Sequence, residues 1–371
     1  MVCMHYGVIM AGGSGTRLWP MSRVSRPKQL LSIIDGKSLL RLSYERLASF
    51  LPPQQILVCT SASYGQQVMR DIPELPAENL LGEPVGRDTA NAVGLPAAVL
   101  LKRDPAAAFA VVTADHVIRP VELFAKAIND AFELVEQYPT ALVTFGIEPT
   151  SPHTGLGYVQ QGEAIALKSG AGGAFRVKQF KEKPDLPTAQ SYVDSGQYFW
   201  NSGMFVWRAQ TIMEELRLQL PKSYDGLTRI AADWNTPSQD ETLRMIYPTL
   251  PKISVDYAIM EPASQGKGQA AVMMVKMPVN WLDVGSWPTL AEVLKKDEHG
   301  NTVQGAMVCL VDSQGNIVVS DDPSHLISTA GLRDMIVVHT RNATMICPIS
   351  QAQRVKELAE KAKEKFGTEY A

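Results

Sequence analysis

The first segment of this chain able to do chemistry is Ala11-Gly12-Gly13-Ser14-Gly15-Thr16-Arg17-Leu18-Trp19-Pro20, which follows the apolar run Tyr6–Met10. Glycine lets a backbone approach a ligand closely, and successive amides in such a turn can point inward onto anionic oxygens. On its own a glycine-rich turn is equally a tight strand-to-helix connection. Here Arg17 lies in the loop, and Ser25-Arg26-Pro27-Lys28 follows shortly after it. A fixed-fork guanidinium and a compact ammonium beside a nest of amides suit a triphosphate. The loop is neither a Walker A sequence, which needs Gly-Lys-Ser/Thr, nor a dinucleotide-binding Gly-x-Gly-x-x-Gly.

These residues need elements to hold them. Short apolar runs at Tyr6–Met10, Gln55–Thr60, Phe109–Thr113, Ala141–Gly146 and Ala271–Lys276 read as strands. Between them, Ser38–Phe50, Ala90–Lys102 and Val121–Gln137 carry helical periodicity, with Ser38 placed as the N-cap of the first. Strand-helix alternation predicts an α/β protein with a mostly parallel, Rossmann-like mixed sheet flanked by helices. In such sheets ligands bind beyond the carboxyl ends of the strands. Asp115 follows Phe109–Thr113 at one such end.

From about Thr150 to Ile259 the texture is less regular, and Gly155–Val159, Phe175–Phe180 and Gly203–Trp207 read as strands of a lid-like layer on the sheet. After Asp297–Asn301, short strands at Met307–Val311, Asn316–Val319, Met335–His339 and Thr344–Cys347 form a small C-terminal β-rich domain, with no convincing repeat. A terminal helix closes it, entered through a Ser350-x-x-Gln353 capping box and striped by Val355, Leu358, Ala359, Ala362 and Phe366. The expected division is residues 1–295 and 296–371.

Composition bounds the reading. The chain has 371 residues, 45% hydrophobic and 20% charged, which describes a folded protein rather than a disordered one. Lys and Arg number 35 against 38 Asp and Glu, a net charge of −3, so there is no basic field for nucleic acid or an anionic membrane. The four cysteines, Cys3, Cys59, Cys309 and Cys347, lie far apart with no Cys-x-x-Cys pair, which points to a reducing, cytoplasmic setting. No apolar stretch approaches the roughly 18 residues of a membrane helix, and the N-terminus has no basic, cleavable leader.

Taken in order, further stretches join the loop. They are Arg26-Pro27-Lys28-Gln29, Gly82-Glu83-Pro84, Arg87-Asp88-Thr89-Ala90, Ala114-Asp115-His116, Phe180-Lys181-Glu182-Lys183-Pro184, Trp200–Phe205, Val255–Ala258 and Trp281-Leu282-Asp283-Val284-Gly285-Ser286-Trp287. Together with Gly12–Pro20 they resemble the sugar-1-phosphate nucleotidylyltransferases from about Tyr6 to Leu290. The Trp-Pro and Pro-Lys-Gln details are most similar to the branch that joins GTP to mannose 1-phosphate. The resemblance implies attack of a sugar-1-phosphate oxygen on the α-phosphorus of a nucleoside triphosphate, with release of pyrophosphate. A phosphate monoester has a second pKa of about 6, so its anion needs no general base. Alignment and charge cancellation remain.

By the same resemblance, Arg17 and Lys28 are the catalytic cations, and Asp115 and Asp283 hold Mg2+. Met10, Ala11, Gly12, Gly13, Ser14, Gly15, Thr16 and Arg17, with Glu83, Arg87, Asp88, Thr89 and Asp115, form the nucleotide side. An ionised Glu83 accepts two hydrogen bonds, which matches the N1–H and N2 donors of guanine and mismatches uracil or thymine. Gly157, Tyr158, Glu182, Lys183 and Asn201 form the sugar-phosphate side. His116 is set aside as structural, and Trp200, Phe205 and Trp207 are assigned to the core. Asp88 stands where the family pattern has Asn, Asn91 where it has Pro, and Lys181 where it has an apolar residue. Three other readings stay open: a different nucleotide or hexose phosphate, a catalytically silent nucleotide-sugar-sensing subunit, and a Rossmann-type dehydrogenase, against which the glycine spacing of the loop speaks. By analogy of fold, the C-terminal β segment packs the subunit or joins a homodimer.

Overall fold

Seventeen strands alternate with helices along the computed structural model, which describes residues 4–13, 15–169 and 173–370. Ser14, expected among the nucleotide ligands, lies outside the described residues. By contacts the chain divides into two compact units, each assembled from three separate stretches. The first takes Met1–Gly12, Tyr44–Thr113 and Ile118–Trp281; the second takes Gly13–Ser43, Ala114–Val117 and Leu282–Ala371.

The first unit is built on a nine-stranded sheet. Its strands are β1 (His5–Ala11), β2 (Ile56–Ser61), β3 (Leu80–Glu83), β4 (Ala108–Thr113), β6 (Ala141–Ile147), β7 (Gly157–Ile165), β8 (Ala174–Lys181), β9 (Tyr198–Arg208) and β10 (Ala271–Lys276), while β5 (His116–Arg119) and β11 (Asn280–Asp283) lie outside it. The order is β3-β2-β1-β4-β9-β6-β10-β8-β7. Strands β3, β2, β1 and β4 run parallel, as do β6 and β10, with β9 antiparallel between β4 and β6. The apolar runs became these parallel strands because both sheet faces are covered: Val8, Leu57, Val58, Phe109, Val111 and Val143 are all essentially inaccessible.

The lid-like layer expected over the middle region is not formed. Strands β7, β8 and β9 hydrogen-bond into the main sheet and extend it, β7 also pairing with β9. Trp200, Phe205 and Trp207 are buried within it, as the sequence suggested.

In the second unit, strands β12 (Thr302–Gln304), β13 (Met307–Val311), β14 (Ile317–Ser320), β15 (Leu326–Ala330), β16 (Met335–Thr340) and β17 (Ala343–Pro348) make stacked coils. Thr302, Ile317 and Ile336 lie in parallel register, and so do Met307 and Leu326. A repeat therefore exists in space. The steps from Thr302 to Ile317 and from Ile317 to Ile336 are unequal, so no fixed period marks it in the sequence. Residues Leu18, Trp19, Met21, Leu31, Ile33 and Ile34 of the N-terminal loop share one core with Ile317, Val319, Ile336, Val338, Met345, Val355 and Ala359.

The capping box is not used. Ser350 and Gln353 lie inside a 3-10 turn, Ile349–Arg354, and the final helix begins only at Val355. Its buried stripe is also narrower than expected: Val355 and Ala359 are buried, while Leu358 and Phe366 stay exposed. The first helix behaves as expected, spanning Leu39–Ala48 with the Arg41 N–H donating to Ser38 Oγ at 2.8 Å.

Candidate active site

Within the second unit, the loop and the two expected metal carboxylates meet. Gly15 adopts φ +64°, and a Cβ built there would lie 2.4 Å from Lys28 Cβ. A side chain at this position would thus oppose both the left-handed backbone and the passage of the Lys28 stem. Gly15 C=O is held by Ser22 Oγ at 2.7 Å and by Leu18 N–H at 2.9 Å, which closes the turn carrying Thr16 and Arg17. Around Gly12 and Gly13, chain neighbours aside, no atom of the described residues would meet an added Cβ within 4 Å.

Lys28 sits in a short 3-10 turn after Pro27. Its ammonium lies 2.5 Å from Asp115 Oδ2 and 4.0 Å from Asp283 Oδ1, and it donates to the Val284 carbonyl at 3.4 Å. The Val284 N–H in turn donates to the Asp115 carbonyl at 3.0 Å, which sets the two acidic residues side by side. Burial pushes the Asp115 carboxyl up, but the Lys28 and His116 charges and the Lys28 hydrogen bond outweigh it and hold the group below its ordinary range. The Arg17 guanidinium reaches the same turn: a Cβ on Gly285 would lie 3.6 Å from Arg17 Nη1 and 3.9 Å from Asp283 Oδ1.

His116, set aside in the sequence reading, belongs to this cluster. Ligand atoms of Asp115, His116 and Asp283 all lie within 4.8 Å of one another, and His116 is buried. Two carboxylates already gathered around a positive charge are a donor set that suits a hard divalent cation.

In the first unit, Met10 and Ala11 end β1, where Ala11 C=O accepts from Thr60 Oγ1 at 2.8 Å. Glu83 ends β3 and is 6% exposed. The Tyr247 hydroxyl donates to its Oε1 at 2.6 Å. Burial raises the Glu83 carboxyl to about 6, and the Tyr247 hydrogen bond only partly opposes this. Tyr247 escaped the sequence reading because nothing local marks it; its partner is far away in the chain.

Arg87, Asp88 and Thr89 form the entrance to the helix Asp88–Arg103. Asp88 has φ +64°, and its carboxylate accepts the Thr89 N–H at 2.8 Å. Asn and Asp tolerate this left-handed conformation better than other side-chain-bearing residues, which accounts for Asp where Asn was expected. Asn91 ties the helix down, its Nδ2 donating to the carbonyls of Arg87 (3.1 Å) and Pro251 (2.6 Å). A proline could make neither bond. Thr89 Oγ1 accepts the Val255 N–H at 2.9 Å, so this turn also fixes the start of Val255–Ala258.

The expected sugar-side residues gather at β7 and β9. Gly157 pairs with Asn201 across the two strands, and Glu182 and Lys183 follow β8. Glu182 is 7% exposed and accepts from Lys183 Nζ at 2.7 Å. Tyr158 is fully buried, its hydroxyl donating to the His153 carbonyl at 3.1 Å, so its ring faces the core. Lys181 points elsewhere, to Glu261 at 3.1 Å. Asp256, in a motif noted from sequence but given no role, accepts from Asn201 Nδ2 at 2.9 Å.

Known proteins resemble this chain along nearly its whole length. The nucleotidyl transferase family model matches residues 6–300, and that of the MannoseP isomerase/GMP-like beta-helix domain matches 306–361. A mannose-1-phosphate guanylyltransferase of Salmonella montevideo is 38% identical over 363 residues, covering 96% of this chain and 73% of that protein. One of Escherichia coli (strain K12) is 37% identical over 366 residues, with the same coverage of 96% and 73%. The crystal structure described as a mannose-1-phosphate geranyltransferase from Thermus thermophilus superposes with a TM-score of 0.83 at 33% identity, covering 97% of this chain and 99% of that one. The chain is an enzyme that belongs to the nucleotidyl transferase family, and the Salmonella montevideo and Escherichia coli relatives that match it along nearly its whole length are mannose-1-phosphate guanylyltransferases.

Proposed function

We propose that the protein transfers the guanylyl group of GTP to mannose 1-phosphate, giving GDP-mannose and pyrophosphate. The observation that carries this reading is the Lys28 ammonium lodged between Asp115 and Asp283 beside the glycine loop. An oxygen of the sugar phosphate attacks the α-phosphorus in line, and the bond from that phosphorus to the β-phosphate bridge oxygen breaks. No covalent enzyme intermediate is needed. Above a pH of about 6 the attacking phosphate is already a dianion, so the protein's task is alignment and cancellation of charge.

Arg17 and Lys28 supply positive charge to the phosphates, and the amides of Gly12, Gly13, Gly15 and Thr16 hold their oxygens, with Met10 and Ala11 lining the approach and Arg87, Asp88 and Thr89 closing the nucleotide side. Asp115 and Asp283 would hold Mg2+, which when bound neutralises phosphate charge. Glu83, ionised above a pH of about 6, accepts the guanine N1–H and N2 donors. Gly157 and the Tyr158 backbone let the sugar approach, Glu182 and Asn201 take its hydroxyls, and Lys183 takes its phosphate. The division at 295/296 lies close to the gap between the two matched spans, residues 6–300 and 306–361.

Cys59, Cys309 and Cys347 are free thiols, in keeping with a cytoplasmic setting. No helix among the described residues is long and apolar enough to cross a membrane. Exposed Met307, Val311 and Leu326 on the C-terminal coils support a homodimer.

Pyrophosphate release in magnesium, across the four common nucleoside triphosphates with mannose 1-phosphate or glucose 1-phosphate, tests the reaction. Release is expected to need GTP, mannose 1-phosphate and the metal together. A different preferred pair would discard the guanine and mannose assignments. Binding of nucleotide sugar without turnover of any pair would establish the silent sensor instead.

A further inference from the structure

Asn201 is oriented by groups that leave it one role. Its Oδ1 accepts the Gly203 N–H at 3.3 Å, and a backbone amide can only donate, so the flip of the side-chain amide is fixed. The fully buried Thr144 hydroxyl adds a second bond to the same oxygen at 2.8 Å. Nδ2 is thereby turned to Asp256, donating to Oδ1 at 2.9 Å. Asp256 opens a π-helical turn, Asp256–Met260, an irregularity frequent at functional sites.

Glu182 stands nearby with an unmet need. Its Oε1 is taken by Lys183, while Oε2 is buried and has no hydrogen-bond partner among the described residues. The space beside Oε2 is kept clear by Gly157. A Cβ there would lie 2.5 Å from Glu182 Oε2 and 3.4 Å from Asn201 Nδ2. Burial, with the Glu182 charge in support, pushes the Asp256 carboxyl up to about 7 against the Asn201 hydrogen bond and the Lys183 charge. Two carboxylates thus face one small space, one with a single oxygen still to be met and one steadied by an amide.

A bare cation fits this space poorly. Lys183 already provides a positive charge, and Asn201 offers its N–H rather than its carbonyl. A pair of neighbouring hydroxyls fits well, because each can donate to a carboxylate and accept from an N–H.

We propose that Asp256, positioned by Asn201, is a sugar-reading residue that shares a vicinal diol of the hexose phosphate with Glu182, one hydroxyl donating to each carboxylate. This rests on the reading of β7 and β9 as the sugar side. It shifts the discriminating role from Asn201, whose oxygen is occupied, to the carboxylate that Asn201 holds.

The test compares wild type, Asp256→Asn and Asn201→Ala with mannose 1-phosphate and its singly deoxygenated analogues. Losing a hydrogen bond to a charged group changes affinity by about tenfold or more. Asp256→Asn, close to isosteric, is expected to raise KM for the sugar phosphate by about that factor, with KM for GTP nearly unchanged. One deoxy analogue that weakens wild type should bring no further loss in Asp256→Asn. Asn201→Ala should reproduce that signature more weakly, through a change that leaves the carboxylate in place. Equal loss across all analogues in an active Asp256→Asn, or parallel rises in both KM values, would overturn the inference while leaving the function intact. Failure of wild type to use any sugar 1-phosphate would overturn the function and this inference together.

Discussion

At the scale of single residues, the most consequential placement is Lys28. Its ammonium is held by one carboxylate at 2.5 Å and faces another at 4.0 Å, so it occupies ground a metal ion would also seek. Two effects of opposite sign follow from removing it. Lys28→Ala should lose roughly a hundredfold or more in turnover, since the cation that steadies developing charge is gone. The same variant should bind Mn2+, a spectroscopic stand-in for magnesium, more tightly without nucleotide, because its competitor has left. Pyrophosphate release and paramagnetic resonance titration check the two halves; normal turnover, or unchanged metal affinity, refutes the corresponding role. Glu83 makes a second case. Its carboxyl is raised to about 6, above the ordinary carboxylate range, so the folded protein holds that proton more tightly than the unfolded chain does. Its contribution to stability is therefore present at low pH and is lost as pH rises through about 6. Base recognition runs the other way, since an ionised acceptor is needed. The preference for GTP over UTP should accordingly fall as pH drops through about 6, and Glu83→Gln should reduce that preference and flatten its pH dependence. Competition between the two nucleotides from pH 5 to 8 measures this, and an intact preference in Glu83→Gln excludes the role.

At the scale of elements, legibility tracked how local the determining interactions are. Strands β1, β2, β4, β6 and β10 could be read because burial on both faces demands unbroken apolar runs such as Phe109–Thr113. The start of the first helix could be read because Ser38 caps its own next turn. Strands β7 and β8 were found, but their place was not. Their half-exposed patterns suit an edge of the main sheet as well as a separate layer, and only pairing decides between these. The capping box failed for a related reason: its residues fit the motif, yet the packing of Ala352 and Val355 fixes a 3-10 turn there instead. In the site, the loop with Arg17 and Lys28 announced its chemistry through residue type and spacing. Tyr247 could not, since the carboxylate it serves is remote in sequence. Asp256 stood in a noticed motif, but its meaning depends on an amide fixed by Thr144 and Gly203.

At the scale of the molecule, the C-terminal coils are structural partners of the phosphate loop rather than an appendage to it. Trp19 and Leu18 are buried in the core that contains Ile336, Val338 and Val355. Trp19 Nε1 donates to the Tyr370 carbonyl at 2.6 Å, and Trp287 Nε1 donates to the Trp19 carbonyl at 3.1 Å. Arg23 reaches the Glu369 carbonyl at 2.8 Å and Asn342 Oδ1 at 2.9 Å. The segment that presents Arg17 and Lys28 thus takes much of its apolar cover from residues beyond 300. A chain ended after residue 300 would keep every expected site residue and lose that cover. It should be insoluble or inactive, although the family match spans residues 6–300. A milder change isolates the same coupling. Ile336 is fully buried, and Ile336→Ala should cost about 2–5 kcal/mol of stability, as large-to-small core substitutions do. Because its neighbours support the loop, this variant should also lose GTP affinity under conditions where it remains folded. Denaturant unfolding and GTP binding measured on the same preparation separate the two effects. A soluble, fully active shortened chain would show that the phosphate loop holds its shape alone, and the shared core would then be packing without consequence for catalysis.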